Sequence, residues 1–425
     1  MRANHKDKAS DARHGHRRRR ALRACGAVVG VLAVGLVVWY AALSSNGELP
    51  AASASPFYVV TSSLPAGHPG AILRSQPIIR GVPAGARAWR VLYTSTAFDT
   101  GRPIAVSAVV FAPAGGPIPA GGRAVIAWAH PTTGITSTCA PSLLAGGGAS
   151  TIPGLQSFLQ DGYVVVATDY PGLGTQGPAP YLVGSSEARA VLDSIRAARQ
   201  LPGANAGSHF ILWGHSQGGQ AALFAGQLAR SYAPELELQG VAVAAPATDL
   251  ARLLSLDLPT IAGKVLGSMA LESWSKVYPG VSLRQLMSAR TIPLLEDIGR
   301  SCLQNKSSAL AALPAAAMLR LTGSLSATPL LSHPAWARIL KQNTPVAAAA
   351  DDVPVLITQG TADPIVRPQI SAAFAQALCH RHLRVEYQLL KNVGHNAAGF
   401  DSAPAVVLWA QDRFNRVAPP SNCAG

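Results

Sequence analysis

Charged residues are scarce in this 425-residue chain: Asp, Glu, Lys and Arg together make up 13%, against 48% hydrophobic residues. That balance excludes extended disorder outside the ends. The length allows one large core with an insertion, or two domains. Aromatic residues are only 6% and never interleave with a basic run, so the formal net charge of +14 does not point to nucleic acid. Met1 to Arg23 holds nine Lys/Arg against two Asp/Glu, and the remaining 26 against 19 are dispersed. Cysteine is also rare, with five residues and no C-x-x-C pair. Cys379-His380-Arg381-His382 comes nearest to a ligand cluster, but it falls between a helix pattern and a strand pattern, so no metal is expected. No cofactor is called for, no repeat is found, and nothing marks an obligate protein partner.

The head of the chain accounts for half of its excess charge. Arg17 to Arg20 precede an uninterrupted apolar run from Ala24 to Leu43. That run has about the 20 residues a helix needs to cross a bilayer, more than a usual signal-peptide core. Positive charge before it and little after it predicts the N-terminus inside and the chain from Ser44 onward outside. Residues 1–23 are thus expected to be a basic cytoplasmic tail, and residues 24–43 a transmembrane signal anchor that ties the protein to the membrane. The alternative is a signal peptide, cleaved near Ala42-Leu43-Ser44 or Ala52-Ser53-Ala54, that leaves the protein secreted. The arginines also permit twin-arginine export. Cys25 lies in the apolar run, so Cys139, Cys302, Cys379 and Cys423 are the exported cysteines. An even number suggests two disulfides, with three pairings open by arithmetic.

Residues 44–85, rich in Pro, Ala, Ser and Gly, read as a linker and irregular arm. Two alternating runs, Ala88 to Thr96 and Ile104 to Phe111, flank Asp99-Thr-Gly-Arg102 as a β-hairpin. Buried strands and helices then alternate. Strands are expected at Arg123 to Ala129, Tyr163 to Thr168, from His209, and at Leu238 to Ala245; helices at Ile152 to Gln160, Ser186 to Gln200 and from Gln220. Such alternation predicts an α/β fold, a mainly parallel sheet with helices on both faces. The rhythm stops between about Asp249 and Pro345, where Leu/Ala-rich, Pro-punctuated sequence reads as a helical insertion. It resumes with a strand at Val353 to Gln359, a helix at Pro368 to Leu378, a strand at Leu383 to Leu390 and a last helix at about Ala403 to Asn415. The expected organisation is core at 86–248, insertion at 249–345 and core again at 346–425.

The chemistry centres on Gly214-His215-Ser216-Gln217-Gly218, a G-x-S-x-G pentapeptide between a strand pattern and a helix pattern. Composition alone would generate about 0.3 such matches, so the flanking strand and helix are what give it weight. A sharp strand-to-helix turn presents Ser216 as a nucleophile and aims the Gln217 N–H at a developing oxyanion. A serine hydroxyl needs a base, and the base needs a carboxylate to orient it. Asp363 follows the penultimate strand and His395 the last one, which puts both in loops at the carboxyl edge of the sheet. Asp351 and Asp352 precede their strand and would lie at the wrong end. His215 is expected to point away from the nucleophile, and His209 and His333 to be structural. The loop after the third strand, His130-Pro131-Thr132-Thr133-Gly134, should supply the second oxyanion donor. Pro131 has no N–H, which leaves Thr132 or Thr133.

Together, Trp128-Ala-His-Pro-Thr-Thr-Gly134, Cys139-Ala-Pro-Ser142, Thr168-Asp-Tyr-Pro-Gly-Leu-Gly-Thr175, Gly214-His-Ser-Gln-Gly-Gly219, Gln359-Gly-Thr-Ala-Asp363 and Gly394-His395 resemble the secretory lipases of the α/β-hydrolase superfamily, the family that includes Candida-type lipase A. The resemblance covers most of residues 85–425. It implies the α/β-hydrolase fold and metal-free hydrolysis of carboxylic esters by Ser216, Asp363 and His395. It also implies a helical cap, or lid, at the insertion, and disulfides Cys139–Cys302 and Cys379–Cys423. The chain departs from the pattern at Pro131, where such a loop commonly has Gly after its His, and would depart again in retaining a membrane anchor. An apolar cap favours a hydrophobic ester substrate, lipid or acylglycerol. The rival readings are a non-lipolytic esterase or acyltransferase with the same triad, and a non-catalytic binding protein of the cell envelope.

Overall fold

The computed structural model describes residues 56–60, 64, 68–303, 326–346 and 353–423. The expected tail at 1–23, the anchor or signal at 24–43, and Asp351 and Asp352 lie outside the described residues. Among the described residues, no helix is long and apolar enough to cross a membrane.

The strands are β1 (Ile72–Ile78), β2 (Ala86–Thr96), β3 (Pro103–Pro113), β4 (Arg123–Ala129), β5 (Val164–Thr168), β6 (Ala206–His215), β7 (Glu237–Ala244), β8 (Val355–Gly360) and β9 (Val385–Leu390). They form one nine-stranded sheet in the order β1-β2-β3-β5-β4-β6-β7-β8-β9. β1, β2 and β3 pair antiparallel, β3 meets β5 antiparallel, and every later pairing is parallel. All residues of β5 and β8 are buried, as strands covered on both faces must be.

Alternation along β4 shows how the two faces are filled. Val125 and Ala127 join a core with Val191, Leu192 and Ile195 of α2 (Gly184–Gln200), Ala221 and Ala222 of α3 (Gln217–Tyr232), and Phe374 and Leu378 of a later helix. Ile126 and Trp128 face the other way. They share a core with Trp213, Phe158 of α1 (Leu155–Gln160), and Val406 and Trp409 near the C-terminus. Trp128 and Trp213 lie side by side across the β4–β6 pair, ring centroids 5.4 Å apart.

Between β7 and β8 the chain runs through α4 (Leu250–Asp257), α5 (Ile261–Val277), α6 (Ile292–Gly299), α7 (Ala327–Ser332) and α8 (Pro334–Gln342). Met269, Trp274, Leu295, Leu330 and Trp336 are buried among these helices and join the first core. After β8 come α9 (Pro368–Cys379) and α10 (His395–Phe414).

Two features differ from the sequence-based expectation. The arm at 44–85 is not irregular throughout: β1 extends the sheet beyond β2. Most of its residues are exposed and it includes Pro77, which an edge strand tolerates, so hydrophobic alternation could not reveal it. The last helix begins at His395, not near Ala403. Pro404, a residue that fits a first helical turn, lies inside α10, where it removes one backbone donor.

The structure joins Cys139 to Cys302, 163 residues apart, and Cys379 to Cys423. The second link helps hold the C-terminal segment along β9. Asn422 donates its N–H to Val385 and exchanges side-chain bonds with the Tyr387 backbone, covering an otherwise open edge. The first link ties the loop after β4 to the segment after α6. Replacing both Cys139 and Cys302 with Ser should lower the unfolding free energy by about 2–5 kcal/mol in a denaturant titration.

Candidate active site

The turn between β6 and α3 is closed to the point that no side chain fits on its glycines. A Cβ on Gly214 would collide with the Gly218 carbonyl, and one on Gly218 with the Ala129 carbonyl at the end of β4. Ser216 between them has φ 57° and ψ −116°, a strained backbone for a residue with a side chain. Its N–H is tied to the Ala244 carbonyl of β7 at 3.0 Å, and its own carbonyl accepts from Gln220 and Ala247. The surroundings thus fix a conformation the residue would not choose alone. Gln217 opens α3, so its backbone N–H lies at a helix N-terminus.

Asp363 follows β8 in a turn that saturates its carboxyl. Oδ1 accepts from the Ile365 and Val366 N–H groups, each at 2.9 Å, and Oδ2 accepts from Gln359 Nε2 at 3.2 Å. Gln359 is itself held by the Ser371 hydroxyl at 2.6 Å. His395 Nδ1 donates to Asp363 Oδ2 at 2.8 Å, which leaves Nε2 as the acceptor for the Ser216 hydroxyl, also at 2.8 Å. Ser216, Asp363 and His395 are 9%, 4% and 7% exposed, so these bonds are made out of bulk water. Three residues distant in the chain are therefore in one hydrogen-bonded line, though His395 stands at the first position of α10 and not in a free loop.

His215 does not simply point away. Its Nε2 bonds to the His395 carbonyl at 3.0 Å, and the two rings are 5.0 Å apart. Burial, and next the nearby His395, hold His215 down to about 3, so it is a neutral donor bracing the start of α10. His209 pairs with the exposed Glu237 at 2.8 Å, and His333 occupies the N-cap position of α8 without a capping bond from its side chain.

In the loop after β4, His130 is buried with its ring against Tyr170 and a nitrogen near each of the Pro131 and Asp169 carbonyls. Burial lowers it to about 4. Thr132 lines the same cavity as Ser216 and Gln217, and its hydroxyl bonds to Tyr181 at 2.9 Å. The Thr133 carbonyl instead accepts from Leu303 at 2.7 Å, which places Thr133 in the tether to the insertion. Cys379 is in a disulfide, and no group of three His, Cys, Asp or Glu among the described residues could hold a metal ion.

The cavity over Ser216 is walled by apolar side chains of the insertion, including Leu250, Leu253, Leu254, Leu266 and Trp274, and by Ile365 and Val366. Among the described residues, one charged group that no motif marks also lines it: Asp257, at the end of α4. Burial pushes Asp257 up to about 6 against the pull of Arg367, 3.7 Å away. A lone acid between Leu256 and Leu258 was the available signal.

A family model described as secretory lipase matches residues 152–422. Lipase 2 of Candida albicans is 29% identical over 283 residues, which cover 63% of this chain and 58% of that protein. The match thus spans less than two thirds of that relative. A probable inactive lipase of Mycobacterium tuberculosis is 26% identical over 390 residues, covering 85% of this chain and 82% of its own. Among solved structures, Candida antarctica lipase A in its closed state matches with a TM-score of 0.69 at 22% identity, covering 89% of each chain. At that identity the likeness is one of fold, and the fold is that of the α/β-hydrolases.

Two outcomes follow from the geometry. Gly218→Ala should reduce the unfolding free energy by more than about 2 kcal/mol, because the new methyl meets backbone that cannot yield. A denaturation midpoint equal to that of wild type would show that the turn has more room. His215 is depressed from the ordinary 6.5, so its contribution to stability is present above 6.5 and lost as the pH falls toward about 3. Urea unfolding between pH 7 and 4 should therefore cost wild type more stability than His215→Gln, which cannot take up the proton.

Proposed function

The chain belongs to the secretory lipase family of carboxylic-ester hydrolases, and from that premise we propose that it is an exported serine lipase working through Ser216, His395 and Asp363. The observation that carries the proposal is the imidazole of His395, 2.8 Å from the Ser216 hydroxyl on one side and 2.8 Å from the Asp363 carboxylate on the other. His395 takes the Ser216 proton as the hydroxyl attacks the ester carbonyl, and Asp363 holds the ring and stabilises the imidazolium. The tetrahedral oxyanion is received by the Gln217 N–H and by Thr132, the loop residue that shares the cavity with Ser216. The alcohol leaves with the proton from His395. Water activated by the same imidazole then releases the acid from Ser216.

The substrate class follows from the cavity wall. Leucines and Trp274 from the insertion face Ser216, and each methylene buried against them contributes about 0.8 kcal/mol, so a hydrophobic ester is favoured over a small polar one. Within this reading, residues 86–248 and 346–425 form the catalytic body and 249–345 the cap. Residues 24–43 anchor that body outside the membrane, or release it if cleaved. Two disulfides and a family described as secretory support an exported body.

The M. tuberculosis relative, described as probably inactive, favours a second reading in which this chain binds but does not hydrolyse. The bonded Ser216–His395–Asp363 line weighs against it. A non-lipolytic esterase or an acyltransferase would use the same residues. The full-length chain and Ser216→Ala should be compared on p-nitrophenyl esters of two to sixteen carbons. The expected result is activity that rises toward long chains and falls by about 10⁴-fold or more in the variant. Activity confined to short chains makes the protein an esterase. Equal rates for the two proteins overturn the hydrolase reading.

A further inference from the structure

The mechanism above makes no use of Glu187, a carboxyl that is only 1% exposed in the first turn of α2. Its Oε1 accepts two bonds: from Gln217 Nε2 at 2.6 Å and from the Leu182 N–H at 2.9 Å. Gln217 follows the nucleophile. Leu182 has φ 55°, a left-handed backbone that needs holding, and it follows Tyr181, whose hydroxyl bonds to Thr132 at 2.9 Å. One oxygen therefore links the two segments assigned above to the oxyanion, Gln217 directly and Thr132 by way of Tyr181. Its other oxygen, Oε2, is buried without a hydrogen-bond partner.

A carboxylate in this position would bury a full charge beside two neutral amide donors, with one oxygen uncompensated. A neutral acid leaves only a polar orphan, which costs far less. Among the described residues, the titratable side chains that feel Glu187 are the phenols Tyr170 and Tyr181, both held in the neutral form by burial.

We propose that Glu187 is a positioning residue for ester hydrolysis, acting as a neutral acid that sets the Gln217 and Thr132 segments around the oxyanion. The proposal rests on the serine-hydrolase reading. It also has an electrostatic corollary. Ionised, Glu187 would put negative charge behind the atoms that receive the oxyanion and would raise the barrier. Burial pushes the carboxyl up to about 8, against the pull of its bonds from Gln217 and Leu182, so this loss should appear on the alkaline side.

The test compares wild type, Glu187→Gln, Glu187→Ala and Ser216→Ala by pH-stat hydrolysis of one soluble ester from pH 6 to 10. Glu187→Gln keeps an acceptor oxygen for both donors and has no charge to gain. It should stay within about threefold of wild type at pH 7 and lack the decline wild type shows above about pH 8. Glu187→Ala should lose roughly ten- to a hundredfold in kcat with KM nearly unchanged. The same alkaline decline in wild type and Glu187→Gln, or a normal kcat in Glu187→Ala, overturns the proposal. An infrared difference spectrum, wild type minus Glu187→Gln at pH 7, reads the proton without any turnover. A carboxylic-acid carbonyl band supports the neutral acid, and a carboxylate band overturns it. Wild type no faster than Ser216→Ala sinks the hydrolase reading, and positioning for hydrolysis falls with it; the infrared result still decides the protonation state.

Discussion

The absence of space around one turn governs the rest of this structure. Gly218 is pressed against the carbonyl that ends β4, and Gly214 against the Gly218 carbonyl, so β4, β6 and α3 meet at backbone distance. Only there is Ser216 forced to a positive φ, with its hydroxyl standing off the end of the sheet. Packing on both faces keeps the turn closed: Trp213 and Trp128 fill one side, and the alanines of α3 fill the other. The strain at Ser216 persists because relaxing it would open contacts along three buried elements.

With that point fixed, the parallel sheet supplies the geometry. β8 and β9 lie on the same side of β6 as β7, and the loops after them return to the same rim. Asp363 is saturated by two backbone donors and Gln359, which leaves it little freedom but to receive His395. His395 is braced from behind by His215 through its own carbonyl. The imidazole is therefore oriented by a carboxylate on one side and, through its backbone, by a neutral histidine on the other. Such doubled support holds the Ser216–His395 and His395–Asp363 distances in place.

Much of this was legible in the sequence because the signals are local. A glycine two residues either side of a serine, or an acid just after a buried strand, states its own structural context. The pairing of Cys139 with Cys302 came instead from the family resemblance, since arithmetic left three pairings open. What escaped were features set by tertiary context. β1 is an exposed edge strand that carries little hydrophobic pattern. The true start of α10 was hidden, and Pro404, a residue that fits a first helical turn, stands in the middle. Glu187 looks like any acid in the first turn of a helix, and only its burial against Gln217 sets it apart. His215 was expected to point away from the nucleophile, and the carbonyl it meets belongs to a residue 180 positions further along the chain, which no local pattern announces.

The chain order of the site also fixes the timing of its assembly. Ser216 and His395 are 179 residues apart in sequence, and β8 and β9, which precede Asp363 and His395, follow β4, β6 and β7 in the chain. A nascent chain can form β4, β6 and the strained turn long before His395 is there to accept from Ser216. The backbone bonds that hold Ser216, to Ala244 of β7 and from Gln220 and Ala247, all come from residues that precede β8. Contacts of such long range form late and slowly. Through that stage the Ser216 hydroxyl lacks its imidazole partner, and it gains that hydrogen bond only when α10 docks.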